Sequence, residues 1–149
     1  MSSSESSTIK VIILPGNGCV PIKKCNWYQS VHDSLVRQGV RVLMRDMPDP
    51  IVAREKFWIP FTKNELQCDE RTIIVGHSSG AECAMRYMEQ YKVLGAFLVS
   101  PCVTDLGSEH ERASGYYDRP WLWDKMKENS ELYVHHLNAF EYFLFVRLT

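Results

Sequence analysis

The chain has 149 residues, of which 45% are hydrophobic and 23% charged, and its formal net charge is −1. This length and composition are typical of one globular domain with a substantial core. The nearly neutral charge gives no electrostatic basis for binding nucleic acid or a membrane surface, and no apolar run is long enough to span a membrane.

The five cysteines are irregularly spaced and include no Cys-x-x-Cys pair, so they carry no zinc or redox signature. We therefore expect no metal and no cofactor. Thiols that are free indicate a reducing compartment, and we expect the protein to be cytoplasmic, nuclear or both. The serine-rich residues 1–8 lack an apolar segment, which predicts a flexible tail rather than a signal peptide.

The first elements in chain order are a strand, a loop and a helix. The nearly continuous β-branched run over residues 9–14 predicts a strand buried on both faces of a parallel sheet. A loop of small residues, Pro15-Gly16-Asn17-Gly18, follows it. Apolar residues at helical spacing then predict a helix over residues 27–38, which Asn26 is expected to cap and Gly39 to end.

A second strand is predicted over residues 40–44, and an extended turn at the two prolines of residues 47–50 follows it. Residues 51–57 predict a short helix, which the proline-containing residues 58–61 are expected to interrupt. A further turn or two of helix is expected over residues 62–67.

The central element is the stretch Gly76-His77-Ser78-Ser79-Gly80 between a β-rich run, residues 72–75, and a helix-forming run, residues 81–91. Gly-x-Ser-x-Gly in this setting is typical of a nucleophile elbow, a sharp turn that holds the serine hydroxyl above the edge of the sheet. The alternative is an ordinary turn of a parallel sheet, in which Ser78 only caps the helix. A further buried strand is predicted over residues 93–99.

Strands and helices alternate along this part of the chain, which predicts an α/β fold with a mostly parallel sheet and helices on both faces. Active residues are expected at the carboxyl ends of the strands, where Ser78 falls. The candidate donors of an oxyanion hole are the backbone amides of Ser79, just after the nucleophile, and of Asn17, in the loop after the first strand.

Five stretches stand out along the chain: Pro15-Gly16-Asn17-Gly18, Met47-Pro48-Asp49-Pro50, Trp58-Ile59-Pro60-Phe61, Gly76-His77-Ser78-Ser79-Gly80 and Arg112-Ala113-Ser114-Gly115-Tyr116. Together and in this order they resemble a small, lid-poor family of serine hydrolases of the α/β-hydrolase fold. The resemblance covers about residues 9–127. It implies a three-layer α/β sandwich over residues 9–128, in which Ser78 attacks a small ester, amide or peptide substrate by acyl transfer.

The resemblance also implies a different function, because the family is described as binding retinoblastoma-type pocket proteins through Leu-x-Cys-x-Glu. This chain carries the motif in Leu66, Cys68 and Glu70, so the alternative is an interaction protein that binds pocket proteins. Such partners take a segment in extended form, with Leu and Cys in apolar slots. The motif directly precedes the elbow strand, however, where apolar residues are natural core residues, and we expect Leu66 or Cys68 to be buried.

Aromatic residues are dense over residues 115–123. If they lie near the elbow, Trp121, Trp58 and Phe61 are candidates to line an apolar pocket for the acyl group of the substrate. The alternative is that these rings pack the flank of the sheet. His110 lies between two glutamates and is interpreted as a solvated residue of a charged loop, not as a catalytic one.

Residues 129–149 depart from the family pattern. In this fold the triad acid and then the histidine follow the serine. The resemblance implies an acid after the strand that follows the Trp121 helix and a histidine near the end of a longer chain, yet here no Asp lies beyond Asp124 and no His beyond His136. We expect this tail to replace the last elements of the fold and to leave a sheet edge uncovered. A base at His135 or His136 with Glu141 as its acid would reverse the triad order, so we expect a weak or inactive enzyme.

Overall fold

The computed structural model describes the backbone of residues 8–137 and 141–146 and the side chains of residues 8–131. The strands of its sheet are β1 (Lys10–Leu14), β2 (Arg41–Leu43), β3 (Thr72–His77), β4 (Val93–Val99), β5 (Ser130–Leu137) and β6 (Glu141–Val146). Their order in the sheet is β2-β1-β3-β4-β5-β6. Strands β1 to β5 run parallel, and β6 pairs antiparallel with β5. The four strands expected from the sequence, and their parallel arrangement, are confirmed.

The helices between the strands are α1 (Tyr28–Arg37), α2 (Glu55–Asn64), α3 (Ser79–Met88), α4 (Glu109–Arg112) and α5 (Trp123–Glu128). A single 3-10 turn, Ile22–Lys24, precedes α1. In the described part of the chain, none of the helices has the length and apolar character needed to cross a membrane.

Helices cover both faces of the sheet, so the fold has three layers. All five residues of β1 are buried, as its continuous β-branched sequence predicts. On one face, Ile12 and Ile74 pack against residues of α2, α3 and α5, and every residue of α3 is buried. On the other face, Val11 and Ile13 pack against Tyr28 of α1.

Two expectations about helix starts are wrong. Asn26 does not cap α1; it has a φ of +45°, and its side-chain amide donates to the Tyr28 hydroxyl at 3.3 Å. The helix expected from residue 51 begins only at Glu55, because Ala53 has a φ of +58° and the chain turns there. Both differences come from positive φ angles, which periodicity of apolar residues does not reveal.

The interruption expected at residues 58–61 is also wrong, because α2 is one continuous helix with Pro60 inside it. Proline in a helix interior removes one backbone hydrogen bond and costs about 3 kcal/mol. The ring of Pro60 is exposed to solvent, whereas Trp58, Ile59 and Thr62 are buried on the inner face of α2. Burial of these side chains offsets the lost hydrogen bond.

The final strands extend the sheet beyond β4. Leu98 lies opposite His135 and Val99 opposite His136, so β5 occupies the edge of β4 that we expected to be uncovered. A segment with high β-propensity can pair with a neighbouring strand through its backbone amides and carbonyls, even where its particular side chains were not expected there. This is the physical reason that the edge of β4 is covered. Apolar surface nevertheless stays open, since Phe97, on the same face as α1, is 40% exposed.

Three backbone segments meet at the start of α3 without room for side chains. A Cβ atom on Gly76 would lie 2.5 Å from the carbonyl oxygen of Gly80, and one on Gly80 would overlap the carbonyl oxygen of Leu14. A larger residue at either position would push β1, β3 and α3 apart. The glycines of the Gly-x-Ser-x-Gly motif are thus required by packing.

We predict that Gly80→Ala lowers the free energy of unfolding by about 3 kcal/mol or more, because its methyl group would enter the backbone of β1. Urea denaturation followed by circular dichroism measures the change. Gly16→Ala is the matched control, since a Cβ there would meet its nearest atom at 3.5 Å. Equal denaturation midpoints for the two variants would contradict the prediction.

Candidate active site

Ser78 lies at the sharp turn between β3 and α3, at the carboxyl end of the strand. Its φ of 51° and ψ of −120° are unfavourable for a residue with a side chain and store on the order of 1–3 kcal/mol of strain. The turn is held by backbone hydrogen bonds: the Ser78 amide donates to the Val99 carbonyl at 3.0 Å, and the Ser78 carbonyl accepts from the Ala81 amide at 2.8 Å. The residue is half-buried. This is the strand–turn–helix geometry of a nucleophile elbow.

The loop after β1 lies beside Ser78. A Cβ atom on Gly16 would be 3.5 Å from the Ser78 Cβ, which places the loop backbone against the serine. The Gly16 amide is already engaged, because it donates to the Tyr28 hydroxyl at 2.9 Å. The next amide, that of Asn17, has no hydrogen-bond acceptor among the described residues. Ser79 begins α3, so its amide is one of the donors that a helix leaves unpaired at its N-terminus.

One buried hydroxyl, that of Tyr28, organises this side of the site. Besides the Gly16 amide it contacts His77 Nδ1 at 2.6 Å, and burial raises the pKa of Tyr28 to about 12. Burial also lowers the pKa of His77, whose ring packs 5.7 Å from that of Trp27 between ring centres. The lowered pKa favours the neutral form of His77, whose Nδ1 faces the Tyr28 hydroxyl. Although adjacent in sequence, it is hydrogen-bonded to Tyr28 and not to the Ser78 hydroxyl.

Glu82 is a buried carboxyl group one helical turn after Ser78. It is 1% exposed, its Oε1 accepts the Cys102 amide at 3.1 Å, and its Oε2 has no hydrogen-bond partner among the described residues. Burial raises the pKa of Glu82 to about 7, although the nearby Tyr117 hydroxyl acts in the opposite direction. Sequence reasoning missed this residue, because a Glu in the first turn of a helix normally signals solvent exposure and dipole stabilisation.

His110 is exposed, as expected from the sequence, but it is held by a fixed element. It lies in α4, which Ser108 caps through its hydroxyl. Its ring is exposed, yet Nε2 is 3.0 Å from the Ile51 carbonyl oxygen and 3.2 Å from Asn17 Nδ2. The contact joins three distant segments at the rim of the loop beside Ser78. No local sequence pattern signals a contact between residues so far apart.

The aromatic residues proposed as pocket walls pack against the core. Trp58 is fully buried, and its indole N–H donates to the Pro48 carbonyl at 2.7 Å. Phe61 and Trp121 are half-buried at the margin of the same core cluster. This arrangement is the one expected if the rings pack the flank of the sheet. A cavity of about 550 Å³ opens between α2 and residues 113–119, and Ser78 does not line it.

A buried arginine holds the aromatic segment on α3. Arg86 is fully buried, pairs with Glu89 at 2.6 Å, and stacks its guanidinium 3.8 Å from the ring centre of Trp121. Its N–H groups also donate to the backbone carbonyls of Tyr116, Arg119 and Pro120. A buried arginine whose donors are all used in this way is a structural clamp.

The pocket-protein motif is largely inside the fold. Leu66 is 0% and Cys68 3% exposed, which confirms the expected burial, whereas Glu70 is exposed. The Cys68 carbonyl accepts the Tyr87 hydroxyl at 2.9 Å, and burial raises the pKa of the Cys68 thiol to about 11. Presenting both apolar anchors to a partner would require this segment to unfold locally.

Only the backbone is described for the histidines of the tail. His136 lies opposite Val99, which in turn lies opposite His77. The backbone of His136 is therefore at the same end of the sheet as the elbow, the carboxyl ends of the strands, and two strands away from it. Glu141 opens β6 opposite Leu137. Among the residues with described side chains, no group of three or more His, Cys, Asp or Glu is arranged to hold a metal ion.

Sheet topology and elbow together define a fold of the α/β-hydrolase type. The family model of serine hydrolases matches residues 11–121, and the chain belongs to this family. It is 51% identical to Serine hydrolase RBBP9 of Rattus norvegicus over 125 residues, which are 83% of this chain and 67% of that protein. The crystal structure of the ydeN gene product from B. subtilis shares the fold, with a TM-score of 0.73 at 21% identity over 85% of this chain and 69% of that one.

We predict that Leu66→Ala lowers the free energy of unfolding by about 2–5 kcal/mol, because it removes a fully buried side chain. Glu70→Ala, an exposed position of the same motif, is the control and should change it by less than about 0.5 kcal/mol. Urea denaturation of both variants decides the question. A Leu66→Ala variant as stable as the parent chain would show that the motif is not part of the core.

We also predict a pH-dependent stability difference between the parent chain and Glu82→Gln. The folded pKa of Glu82 is raised from 4.5 to about 7, so the folded state binds this proton more tightly than the unfolded state. The associated stability is fully present below about pH 4.5 and is lost as the pH rises through about 7, on the order of 3 kcal/mol in all.

The neutral amide of the Glu82→Gln variant cannot ionise, so this variant should lack that loss. Urea denaturation of both proteins at several pH values between about 4.5 and 8 gives the comparison. Parallel stability curves for the two proteins would show that Glu82 ionises in the fold without cost.

Proposed function

We propose that Ser78 is the nucleophile of this serine hydrolase and transfers the acyl group of a small ester, amide or peptide substrate to water. The observation that supports this role is the strained backbone of Ser78 between β3 and α3. Strain of this kind persists only where the surrounding packing enforces it, and it clusters at functional sites. Here the packing of Gly76 and Gly80 enforces it.

In the proposed mechanism, attack of the Ser78 oxygen on the substrate carbonyl forms a tetrahedral oxyanion. The Ser79 amide, at the N-terminus of α3, and the Asn17 amide, in the loop beside Ser78, are the proposed donors to that oxyanion. The positive end of the α3 dipole adds to the stabilisation. The acyl-enzyme is then hydrolysed by water, which completes the turnover.

The proposed enzyme is slow, because no described side chain is placed to take the Ser78 proton. His77 is turned toward Tyr28, His110 contacts Asn17, and Glu82 is not hydrogen-bonded to the serine. A serine hydroxyl without an adjacent base is a weak nucleophile at neutral pH. An oxyanion hole alone still supports catalysis about 10³-fold above water.

Binding of a pocket protein is not part of the proposal. Two of the three motif residues, Leu66 and Cys68, have an established place in the core.

We predict that this chain turns over p-nitrophenyl esters about 10⁴- to 10⁶-fold more slowly than a full-length relative, which corresponds to roughly 5–8 kcal/mol of barrier. The residual rate should disappear in Ser78→Ala. Labelling with a fluorophosphonate, which requires an activated serine, provides a second measure and should be weak.

A full-length relative measured in parallel is the reference for both assays. If this chain matches its rate and Ser78→Ala abolishes it, an effective base is present, and His135 and His136 are the first residues to replace. If Ser78→Ala leaves the rate unchanged, the proposed nucleophile is wrong.

A further inference from the structure

The Asn17 amide lies between two backbone amides that are already anchored. On one side, the Gly16 amide donates to the Tyr28 hydroxyl at 2.9 Å. On the other side, the Gly18 amide donates to the Pro50 carbonyl at 2.7 Å. The peptide that carries the Asn17 amide lies between these anchors and can still rotate through ψ of Gly16 and φ of Asn17. The direction of this amide therefore depends on a further restraint.

A third contact holds the side chain of Asn17. The Ile51 carbonyl oxygen lies 3.0 Å from His110 Nε2 and 3.5 Å from Asn17 Nδ2. A carbonyl oxygen only accepts, and its two lone pairs can take both donors, so His110 carries a proton on Nε2. The same ring nitrogen lies 3.2 Å from Asn17 Nδ2, which places the ring directly against the Asn17 carboxamide. Residue 17 is thus held by its side chain as well as by the neighbouring amides.

His110 is presented by a short helix that is anchored on both sides. At the start of α4 the Ser108 hydroxyl accepts a backbone amide of the first turn at 3.3 Å, and the Arg112 guanidinium pairs with the Asp105 carboxylate at 2.7 Å. After the helix, the Ser114 carbonyl accepts the first backbone amide of α2 at 2.9 Å. The backbone of His110 is therefore fixed, although its side chain is exposed.

Ile51 belongs to a turn that is fixed in the same way. The Asp49 carbonyl accepts the Ala53 amide at 2.8 Å. The Asp49 carboxylate accepts both the backbone amide and the guanidinium of Arg54, at 3.0 and 2.9 Å. A segment with few such bonds would move with the loop instead of restraining it. The Ile51 carbonyl is therefore a fixed acceptor.

We propose that His110 is a positioning residue of the hydrolytic site, which together with the Ile51 carbonyl holds Asn17 so that its backbone amide faces the oxyanion formed at Ser78. The effect on hydrolysis rests on the proposed roles of Ser78 and of the Asn17 amide, whereas the restraint on the loop does not. His110 acts through Asn17 and not on the substrate, since its Nε2 proton is used by the Ile51 carbonyl.

Loss of this contact should be felt in the transition state. An oxyanion donor acts mainly once charge develops on the substrate oxygen, and removal of one donor costs about 10²- to 10³-fold in rate. His110 is one of three restraints on the loop, so its loss should displace the Asn17 amide without removing it. We therefore expect a loss of about tenfold in the maximal rate, with little change in substrate binding.

The reach of the side chain at position 110 provides the test. In His110→Gln the side-chain nitrogen lies as many bonds from the backbone as Nε2 of the histidine, so it can donate to the Ile51 carbonyl. In His110→Asn the side chain is shorter and ends at the level of Nδ1, and His110→Ala has no donor. Glu109→Gln is the matched control, because Glu109 is the exposed neighbour on α4 and its side chain has no hydrogen-bond or ion-pair partner among the described residues.

Two measurements on the full chain separate the restraint from its effect on the reaction. Hydrogen exchange of the Gly18 amide, followed by NMR, reports the restraint. We expect exchange to be about tenfold faster in His110→Ala and His110→Asn, and unchanged in His110→Gln and Glu109→Gln. Labelling of Ser78 over a range of fluorophosphonate concentrations reports the effect. We expect the maximal labelling rate to fall about tenfold in the first two variants, at an unchanged half-saturating concentration, and to be retained in the other two.

Equal exchange rates in the parent chain and in His110→Ala would overturn the restraint. A labelling rate that stays at the parent value while exchange becomes faster would overturn the positioning role. A rate in His110→Gln as low as in His110→Ala would show that the donated hydrogen bond is not what matters, and would overturn the proposal as well. If Ser78 is unlabelled in every protein, the proposed function is wrong and so is the effect on hydrolysis, while hydrogen exchange still decides whether His110 holds the loop.

Discussion

The close approach of three backbones at the start of α3 is the constraint on which the site depends. Gly76 and Gly80 let β3, α3 and the end of β1 touch, and no side chain fits between them. Since the carboxyl end of β1 is held against α3, the loop that follows it must begin beside Ser78. The same contact leaves Ser78 no relaxed backbone conformation, which explains its positive φ. The same close packing therefore positions both the loop and Ser78.

Two buried polar groups extend this arrangement on opposite faces of the sheet. On the α1 side, the Tyr28 hydroxyl holds the loop through the Gly16 amide. On the α3 side, the Arg86 guanidinium holds the segment of residues 116–121 through backbone carbonyls. Each group reaches a chain segment distant in sequence, and each has its hydrogen-bonding capacity used. Such fully satisfied buried groups hold one arrangement, because any alternative leaves a polar atom unpaired in the core.

The sequence predicted those features that local rules determine. The continuous β-branched residues of β1 identified a buried strand, and the two glycines around Ser78 identified the elbow. It did not predict features decided by distant contacts. Pro60 was taken to break a helix whose inner face is in fact stabilised by burial. The exposed His110 contacts Asn17 across a long stretch of chain, and the Glu82 carboxylate accepts a backbone amide from the segment after β4. Propensity and periodicity contain no information about such contacts.

Strand β5 shows that backbone pairing and catalytic chemistry make different demands on a sequence. The edge of β4 requires only backbone amides and carbonyls at strand spacing, and β5 supplies them. A catalytic base requires one kind of side chain at one distance from Ser78. The first requirement is met by many sequences and the second by few. His136 lies opposite Val99, at the carboxyl ends of the strands where the elbow also lies, so β5 brings a histidine backbone to that end of the sheet. The elbow and the pairing of β5 are therefore both set by backbone contacts, which do not by themselves determine how strongly Ser78 is activated.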